Sequence, residues 1–318
     1  MISLITGIGG LIGSHLAEHL IKNGDEVTGL YFNSTIGIEE LPKEASLFEC
    51  DVRYFNSVYE ILSKCKPDRI FHLAAQSQPV VSLTKPQETF DINCIGTINV
   101  FESIKLIRKQ NADYNPKVIV ACSSAEYGAS LTEENVPINE DTPLLPLHPY
   151  GVSKVAQDLL AFQYYKNEML NGIRVRIFNT TGPGKVNDVC SDFTRRVVEI
   201  EKGKTKKLLV GNISTKRAIL DVRDLCLALE LLSEKGTPGE VYNVSGDKIY
   251  LISDIIEIIK NNSNAKIEIE VNPALLRPTD EPVIFGDSTK LKKCTLWKQQ
   301  YSIEMTIKDM LEYWRKRI

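Results

Sequence analysis

A tyrosine and a lysine four residues apart, Tyr150 and Lys154, are the side chains in this chain best suited to proton transfer. On a helix this spacing places both side chains on one face, one turn apart. A free phenol has a pKa of about 10, and a nearby ammonium favours the phenolate and lowers that value. We therefore expect Lys154 to lower the pKa of Tyr150, so that the phenol can exchange a proton with a carbonyl/alcohol couple. The same spacing is common in ordinary helices, so its meaning depends on the surrounding motifs.

Three glycines follow the apolar run at residues 2–6, with two residues between each pair: Gly7, Gly10 and Gly13. A tight turn that brings the backbone close to a pyrophosphate leaves no room for Cβ atoms. The N-terminus of the following helix supplies N–H groups and the positive end of a dipole. A helix at 11–22 and a strand at 26–31 are expected next. The pattern predicts a βαβ unit that binds a dinucleotide.

The end of this second strand should select the cofactor. An acidic residue there binds the ribose hydroxyls of NAD, whereas an arginine favours the 2′-phosphate of NADP. The sequence has Tyr31-Phe32-Asn33-Ser34, which offers neither, although Asn33 could hydrogen-bond a ribose. The lack of a cation slightly favours NAD over NADP, and both cofactors remain open.

Strands and helices continue to alternate over about 180 residues, which predicts an α/β protein with a doubly wound parallel sheet. Further strands are predicted at 46–50, 69–75, 117–122 and 173–178, and helices at 56–64, 86–110 and around Tyr150. Ser123 follows the fifth strand, at the sheet edge where ligands bind in this architecture. We expect Asn93, in the long helical region, to tie structural elements together.

The second half of the sequence predicts a smaller α/β lobe laid over the crevice of the sheet. Its helices are predicted at 192–202, 217–233, 250–261 and 303–316, and its strands at 208–211, 241–244 and 267–271. We expect a cofactor domain at residues 1–178, rejoined by about 218–247. The substrate lobe would then comprise residues 179–217 and 248–318.

Composition excludes several functions. The 318 residues carry a net charge of −3, which gives no basic surface for nucleic acid. No apolar run approaches the ~18 residues of a membrane span, and the first residues lack the basic flank of a signal peptide. Seven scattered cysteines, never spaced Cys-x-x-Cys, and four histidines predict no metal site. We expect reduced thiols and a cytoplasmic location.

Taken together, the motifs of the first lobe resemble the extended short-chain dehydrogenase/reductase family. The matching residues occur in the family order: Thr6-Gly7-x-x-Gly10-x-x-Gly13, Asp51-Val52, His72-Leu73-Ala74-Ala75, Asn93, Ser123 and Tyr150-x-x-x-Lys154. The resemblance implies a Rossmann sheet, NAD or NADP, a nucleotide-sugar substrate and a homodimer. It implies that the catalytic residues are Ser123, Tyr150 and Lys154. The implied cofactor contacts are Gly7, Gly10, Leu11, Ile12, Gly13, Asn33, Asp51, Val52, Leu73, Ala74 and Ala75, together with Tyr150 and Lys154.

Motifs of the second lobe resemble the branch of this family that acts on GDP-mannose and its products, the 4,6-dehydratases and the GDP-4-keto-6-deoxymannose reductases. They are Phe178-Asn179-x-x-Gly182-Pro183-Gly184, Asp192-Phe193, Asp221-Val222-Arg223-Asp224, Asn272-Pro273, Leu276-Arg277-Pro278-Thr279-Asp280 and Gly286-Asp287. The resemblance implies a GDP-sugar substrate. Guanidinium groups match phosphate oxygens, so the implied substrate residues are the diphosphate partners Arg195, Arg217 and Arg277, the ribose partner Asp280, and Asn179.

One departure from the branch narrows the reaction. The dehydratases have a Thr-x-Glu motif whose glutamate is the acid/base for elimination at C6. With Tyr127-Gly128 as the anchor, the hydroxyl position is Ser123 and the glutamate position is Ala125, which cannot move a proton. Glu126 is one residue out of place, and neighbouring side chains on a strand point to opposite faces. We therefore expect hydride transfer at C4 of a mannose-type sugar, without a metal ion.

Other functions remain open on the sequence alone. A 4,6-dehydratase, a C4 dehydrogenase and a C4 epimerase would all use the same three catalytic residues, and a cofactor-binding protein without turnover is a further alternative. The segment Arg217-Ala218-Ile219-Leu220 also differs from the Arg-Asp-Phe-Thr that is usual in the reductases, which leaves the sugar unassigned.

Overall fold

The computed structural model describes residues 1–275 and 281–318. Two predicted substrate residues, Arg277 and Asp280, lie outside the described residues. The first-half strands are β1 (Ile2–Thr6), β2 (Glu26–Tyr31), β3 (Ser46–Glu49), β4 (Arg69–His72), β5 (Lys117–Ser123) and β6 (Gly172–Ile177). The first-half helices are α1 (Leu11–Lys22), α2 (Phe55–Cys65), α3 (Pro79–Thr84), α4 (Pro86–Phe90), α5 (Gly96–Gln110) and α6 (Pro149–Glu168).

The second half has shorter strands and more irregular connections. Its strands are β7 (Thr180–Thr181), β8 (Lys207–Val210), β9 (Lys216–Ala218), β10 (Leu220–Asp221), β11 (Val241–Val244), β12 (Ile249–Leu251), β13 (Glu268–Val271) and β14 (Val283–Ile284). Its helices are α7 (Val189–Glu201), α8 (Val222–Lys235), α9 (Ile252–Asn261), α10 (Thr289–Thr295) and α11 (Ile303–Arg315).

The central sheet has the strand order β11-β6-β5-β4-β1-β2-β3, and every neighbouring pair is parallel. Successive residues of β1 face opposite sides of the sheet. Leu4 packs with residues of α2, α5 and α6, whereas Ile5 packs with residues of α1 and α8. Helices thus cover both faces, and the predicted doubly wound parallel sheet is confirmed.

A separate apolar core holds the second lobe together. It combines buried residues of α7, α9 and α11, among them Val197, Ile255 and Ile307. Small sheets flank this core: β12-β9-β14, β13-β8 and β10-β7. Strand β11, from the second half of the chain, lies at the edge of the central sheet beside β6. We propose that the chain divides into the two lobes that the sequence predicts.

Several sequence predictions differ from the structure. The predicted helix at 217–233 begins only at Val222, because residues 216–218 form β9 and the Asp221 side chain accepts a hydrogen bond from Arg223 N–H as the helix cap. The predicted helix at 250–261 begins at Ile252, after β12. The predicted helix at 86–110 is interrupted by a π-helical turn, Asp91–Ile95. Helices α3 and α10 were not predicted.

None of the helices within residues 1–275 and 281–318 combines the length and the apolar character that a membrane crossing requires.

Candidate active site

Ser123 and Tyr150 meet where the N-terminus of α6 contacts the end of β5. His148 caps α6 by accepting a hydrogen bond from Gly151 N–H at 3.0 Å. A Cβ atom on Gly151 would lie only 2.6 Å from the carbonyl oxygen of Ala125, so glycine permits this close contact. The contact brings the Tyr150 phenol into hydrogen-bonding range of Ser123. The structure therefore unites two of the three predicted catalytic side chains.

The predicted lowering of the Tyr150 pKa is wrong for this arrangement. Burial raises the pKa of Tyr150 to about 12, and the hydrogen bond with Ser123 opposes that rise. The Lys154 ammonium lies 5.9 Å from the centre of the Tyr150 ring. It donates hydrogen bonds of 2.7 Å to the carbonyl oxygen of Ala121 and to Gln157 Oε1. Burial of the phenol outweighs its interaction with a cation whose hydrogen bonds go elsewhere.

Glu126 lies beneath Ser123 and is fully buried. Its Oε1 accepts a hydrogen bond from Ser123 N–H at 2.8 Å, and its Oε2 lies 3.2 Å from Arg176 Nε. Burial, followed by the negative charge of Asp158, raises the pKa of Glu126 well above its ordinary value. Because this carboxyl group faces the protein interior, we expect that it does not take the place of the acid/base that the dehydratase motif has at the position of Ala125.

The same interior cluster contains Cys122 and Asp158, whose ligand atoms lie within 4.8 Å of one another and of Glu126. Asp158 accepts hydrogen bonds from Arg174 Nη1 at 2.7 Å and from Arg176 Nε at 3.0 Å. The cluster is therefore a buried ion-pair network in which Arg174 and Arg176 balance the charge of Asp158.

The Gly-rich turn has the shape that a dinucleotide diphosphate requires. Gly7 has a φ of +75°, and a Cβ atom there would lie 2.9 Å from the Cα atom of Ala74. A Cβ atom on Gly13 would lie 2.3 Å from the carbonyl oxygen of Gly7. Helix α1 starts after Gly10, which has no side chain to cap it, so the first-turn N–H groups can face an anion.

The other predicted cofactor residues surround this turn. Leu73 and Ala74 follow β4, and both of their N–H groups donate to Thr6 Oγ1 at 3.1 Å. Ala75 comes next along the same segment, Leu11 and Ile12 begin α1, and Asn33 follows β2 with a φ of 48°. These positions fit a nucleotide that extends along the carboxyl ends of β1, β2 and β4.

Arg53 is a residue of this region that the sequence prediction missed. Its guanidinium binds both carboxylate oxygens of Asp51 and lies 6.0 Å from the centre of the Phe32 ring. The Asp-x-Arg spacing after β3 was the available signal. Arg53 places a cation near the end of β2. The sequence-based preference for NAD over NADP, which rested on the lack of a cation at this position, therefore no longer holds. Val52, beside this pair, is buried and accepts a hydrogen bond from Asn99 through its carbonyl oxygen.

The predicted substrate residues are more dispersed. Asn179 is exposed and follows β6, whose last residue, Ile177, pairs with Ser123. Arg217 lies on β9 and donates to the carbonyl oxygen of Lys216 at 2.9 Å. Arg195 is an exposed residue of α7, 3.8 Å from Glu199. Asn179 therefore shares the sheet edge with Ser123, whereas the phosphate roles of Arg195 and Arg217 stay predictions.

This fold and site define a Rossmann protein of the extended short-chain dehydrogenase/reductase type. The chain belongs to the GDP-mannose 4,6 dehydratase family, whose model matches residues 4–310. The resemblance noted in the sequence is thereby confirmed.

Relatives of the chain match it over nearly its whole length. GDP-6-deoxy-D-mannose reductase from Pseudomonas aeruginosa is 27% identical, with 99% of this chain and 97% of the relative covered. The human GDP-mannose 4,6 dehydratase is 27% identical, with 98% and 90% covered.

Solved structures show the same fold. RMD from Pseudomonas aeruginosa, complexed with NADPH, superposes with a TM-score of 0.85 at 25% identity, covering 100% of this chain and 99% of that one. UDP-glucose 4-epimerase from Thermotoga maritima, with UDP-glucose, gives a TM-score of 0.89 at 26% identity with the same coverage.

The buried position of Glu126 predicts how stability varies with pH. A raised pKa means that the folded chain holds this proton over a pH range in which the unfolded chain has released it, so stability falls as pH rises. We expect Glu126→Gln to lose less thermal stability than the parent between about pH 5 and about pH 8. Melting temperatures across this range, with Glu60→Gln as an exposed control, test the expectation.

The same variant tests whether Glu126 moves protons to or from a substrate. The amide oxygen of the substituted side chain can still accept the Ser123 N–H, so turnover should stay within about tenfold of the parent. A loss of about a thousandfold in a correctly folded variant would contradict the buried, non-reacting role.

Proposed function

We propose that this protein is an NAD(P)H-dependent reductase that transfers hydride to C4 of a GDP-linked 4-keto sugar of the mannose type. One observation carries the choice of reaction. The position of the eliminating acid is occupied by Ala125, and the neighbouring carboxyl, Glu126, is buried beneath Ser123. Elimination at C6 lacks its acid/base, whereas Ser123 and Tyr150 remain together for chemistry at a carbonyl oxygen.

The similar proteins provide a second line of support for this assignment. Both a GDP-6-deoxy-D-mannose reductase and several GDP-mannose 4,6 dehydratases match nearly the full chain. The substituted Thr-x-Glu motif separates this chain from the dehydratases among them. A GDP-mannose-type 4,6-dehydratase is therefore the second candidate, ahead of a C4 dehydrogenase or a C4 epimerase.

Tyr150 can serve as the proton donor in this reduction. With its pKa raised to about 12 by burial, the phenol keeps its proton near neutral pH and can donate it to the C4 oxygen. Ser123 Oγ accepts the Ala125 N–H at 3.2 Å and bonds the Tyr150 phenol. With a substrate bound, its hydroxyl proton would turn from Tyr150 to the C4 oxygen and stabilise charge there.

The chain offers places for the diphosphate and for one ribose of the dinucleotide. The first turn of α1 and the Gly-rich turn would hold the diphosphate, and the bound NADPH or NADH would supply the hydride. Lys154 uses two of its three N–H groups on Ala121 and Gln157, which leaves the third for a ribose hydroxyl. Related structures were solved with NADPH and with NAD, so both cofactors belong in the test.

The decisive experiment incubates the purified protein with GDP-4-keto-6-deoxymannose and either NADPH or NADH. The absorbance of the reduced nicotinamide and the mass of the sugar product are followed together. We expect one nicotinamide to be consumed per sugar reduced. In a parallel reaction with GDP-mannose, conversion without net nicotinamide change would indicate an epimerase or a dehydratase. Tight cofactor binding without conversion of either sugar would indicate a binding protein.

Replacement of Tyr150 by phenylalanine should separate binding from catalysis. The ring is kept but the proton donor is lost, so turnover should fall by about 10² to 10⁴ while cofactor affinity stays close to that of the parent. Tyr164→Phe, which removes a phenol of the same helix that is bonded to Glu102, serves as the control and should retain activity. Steady-state kinetics and cofactor titration give the two readouts, and an active Tyr150→Phe would disprove the assigned role.

We further propose a cytoplasmic homodimer. Helix α6 carries an exposed apolar stripe of Val152, Leu159 and Phe162, and α3, which packs beside α6, exposes Val80 and Leu83. Contiguous apolar area on a folded surface is a mark of an interface. A second copy of the chain, packed helix on helix, would cover this stripe. The seven cysteines are all free thiols, which fits a reducing compartment.

A charge placed in this stripe should dissociate the dimer. We expect Leu159→Glu to sediment as a monomer at concentrations where the parent is dimeric, because a carboxylate cannot be buried there without a partner. Leu296→Glu, at an exposed leucine on a different element, is the matched control and should sediment like the parent. A dimeric Leu159→Glu would place the interface elsewhere.

A further inference from the structure

A chain of hydrogen bonds between buried side chains links Lys154 to the Gly-rich turn. Lys154 Nζ donates to Gln157 Oε1 at 2.7 Å, and Gln157 Nε2 donates to Thr97 Oγ1 at 2.9 Å. Thr97 Oγ1 lies 3.0 Å from His72 Nε2, and His72 Nδ1 lies 2.9 Å from Thr6 Oγ1. Each of these five side chains is at most 3% exposed. This series of hydrogen bonds spans α6, α5, β4 and β1, and its last residue, Thr6, directly precedes Gly7.

The direction of each hydrogen bond follows from the groups at its ends. Thr97 Oγ1 donates its only proton to the carbonyl oxygen of Asn93 at 2.7 Å. It must therefore accept from both Gln157 and His72, which fixes the imidazole as the Nε2–H tautomer. Thr6 Oγ1 then donates to His72 Nδ1. Burial lowers the pKa of His72 to about 3, so the neutral form that this pattern requires is present at neutral pH.

The orientation of the Gln157 amide is set by the same pattern. Because the amide nitrogen must donate to Thr97, the amide oxygen faces the Lys154 ammonium. The opposite orientation would bring two donors together and leave a buried cation with one acceptor fewer. Thr97 thus determines which end of Gln157 meets the lysine, although it does not contact the lysine.

We propose that Gln157, Thr97 and His72 are positioning residues that hold the Lys154 ammonium in register with the Gly-rich turn. The proposal rests on the proposed function in one respect, the use of Lys154 to bind the cofactor. Both ends of the hydrogen-bonded chain lie at the predicted dinucleotide site. At the turn, Thr6 Oγ1 also accepts the N–H groups of Leu73 and Ala74. At the other end, Lys154 is one helical turn from Tyr150.

Several titratable groups face Lys154. They are Cys122 on β5, Glu126 in the turn that follows, Cys94 in the π-helical turn, His72 on β4 and Tyr150 on its own helix. Burial already lowers the pKa of Lys154. Loss of a fixed acceptor makes the charged form less favourable still, so the pKa of the ammonium should fall further.

The kinetic test compares Thr97→Val with Thr97→Ser. Valine has the shape of threonine without the hydroxyl, whereas serine keeps the hydroxyl. We expect kcat to fall about tenfold in Thr97→Val and to stay within about twofold of the parent in Thr97→Ser, with KM for the sugar unchanged in both. The alkaline limb of the kcat/KM profile should move to lower pH in Thr97→Val alone. Equal behaviour of the two variants, or a loss of thermal stability without a change in the pH profile, would overturn the proposal.

A second substitution predicts a shift of opposite sign. In Gln157→Glu a carboxylate replaces the amide oxygen beside Lys154, and a nearby negative charge raises the pKa of an ammonium. The alkaline limb should therefore move to higher pH. A shift to lower pH would contradict direct contact between this side chain and the lysine. This variant keeps the test decisive if Thr97→Val fails to fold.

Nitrogen-15 NMR of the full-length protein with labelled histidine tests the same arrangement without turnover. The chain has four histidines, so His72 can be assigned by elimination with variants of the other three. We expect a neutral Nε2–H imidazole from about pH 5 to about pH 8 in the parent and in Thr97→Ser. An added Nδ1–H population is expected in Thr97→Val, because Nε2 loses its acceptor there.

The kinetic and NMR measurements together distinguish failure of the positioning proposal from failure of the proposed function. An Nδ1–H or charged imidazole in the parent would overturn the positioning proposal whatever the turnover. A parent that reduces no GDP-sugar but shows the expected tautomer, and its change in Thr97→Val, would overturn the function and still support the hydrogen-bonded chain.

Discussion

The site depends on one steric constraint, the approach of the α6 backbone to the carbonyl oxygen of Ala125. Only a residue without a Cβ atom fits at Gly151, and this contact sets the distance between the end of β5 and the first turn of α6. Ser123 and Tyr150 belong to these two elements, so their hydrogen bond follows from backbone packing rather than from flexible side chains. In the proposed reaction, such preorganisation would keep both donors in place before charge develops on the substrate oxygen.

The interior beneath this contact is unusually polar. Arg176 lies between Asp158 and Glu126, and the Tyr127 hydroxyl accepts from Arg176 and donates to Asn243. Buried ion pairs rarely add much stability, because desolvation offsets their attraction. In this protein the ion pairs have a geometric effect on the end of β5. The carboxyl group of Glu126 accepts the N–H of Ser123, so the network orients the end of β5.

The sequence predicted the parts of the fold that local pattern controls. Apolar strands alternating with amphipathic helices gave the parallel sheet, and the glycine spacing gave the first turn. Arg217 was assigned to a helix because β9 is only three residues long and is held by pairing with β12 and β14, contacts that no local pattern reveals. The predicted direction of the Tyr150 pKa shift was wrong for a related reason. Helical spacing reports that Lys154 is near, but not that burial dominates or that Gln157 and Ala121 bind the ammonium.

The path of the chain has a consequence for how the protein folds. Val197 on α7 precedes β11 in sequence, yet its apolar partners Ile255 and Ile307 come after β11. This core therefore cannot close until the C-terminal helix α11 has been synthesised, whereas most of the central sheet can assemble earlier. Contacts this distant along the chain slow folding, because a long loop must close before they form. A ribosome-bound chain would thus carry a nearly complete central sheet with the apolar face of α7 still exposed to chaperones.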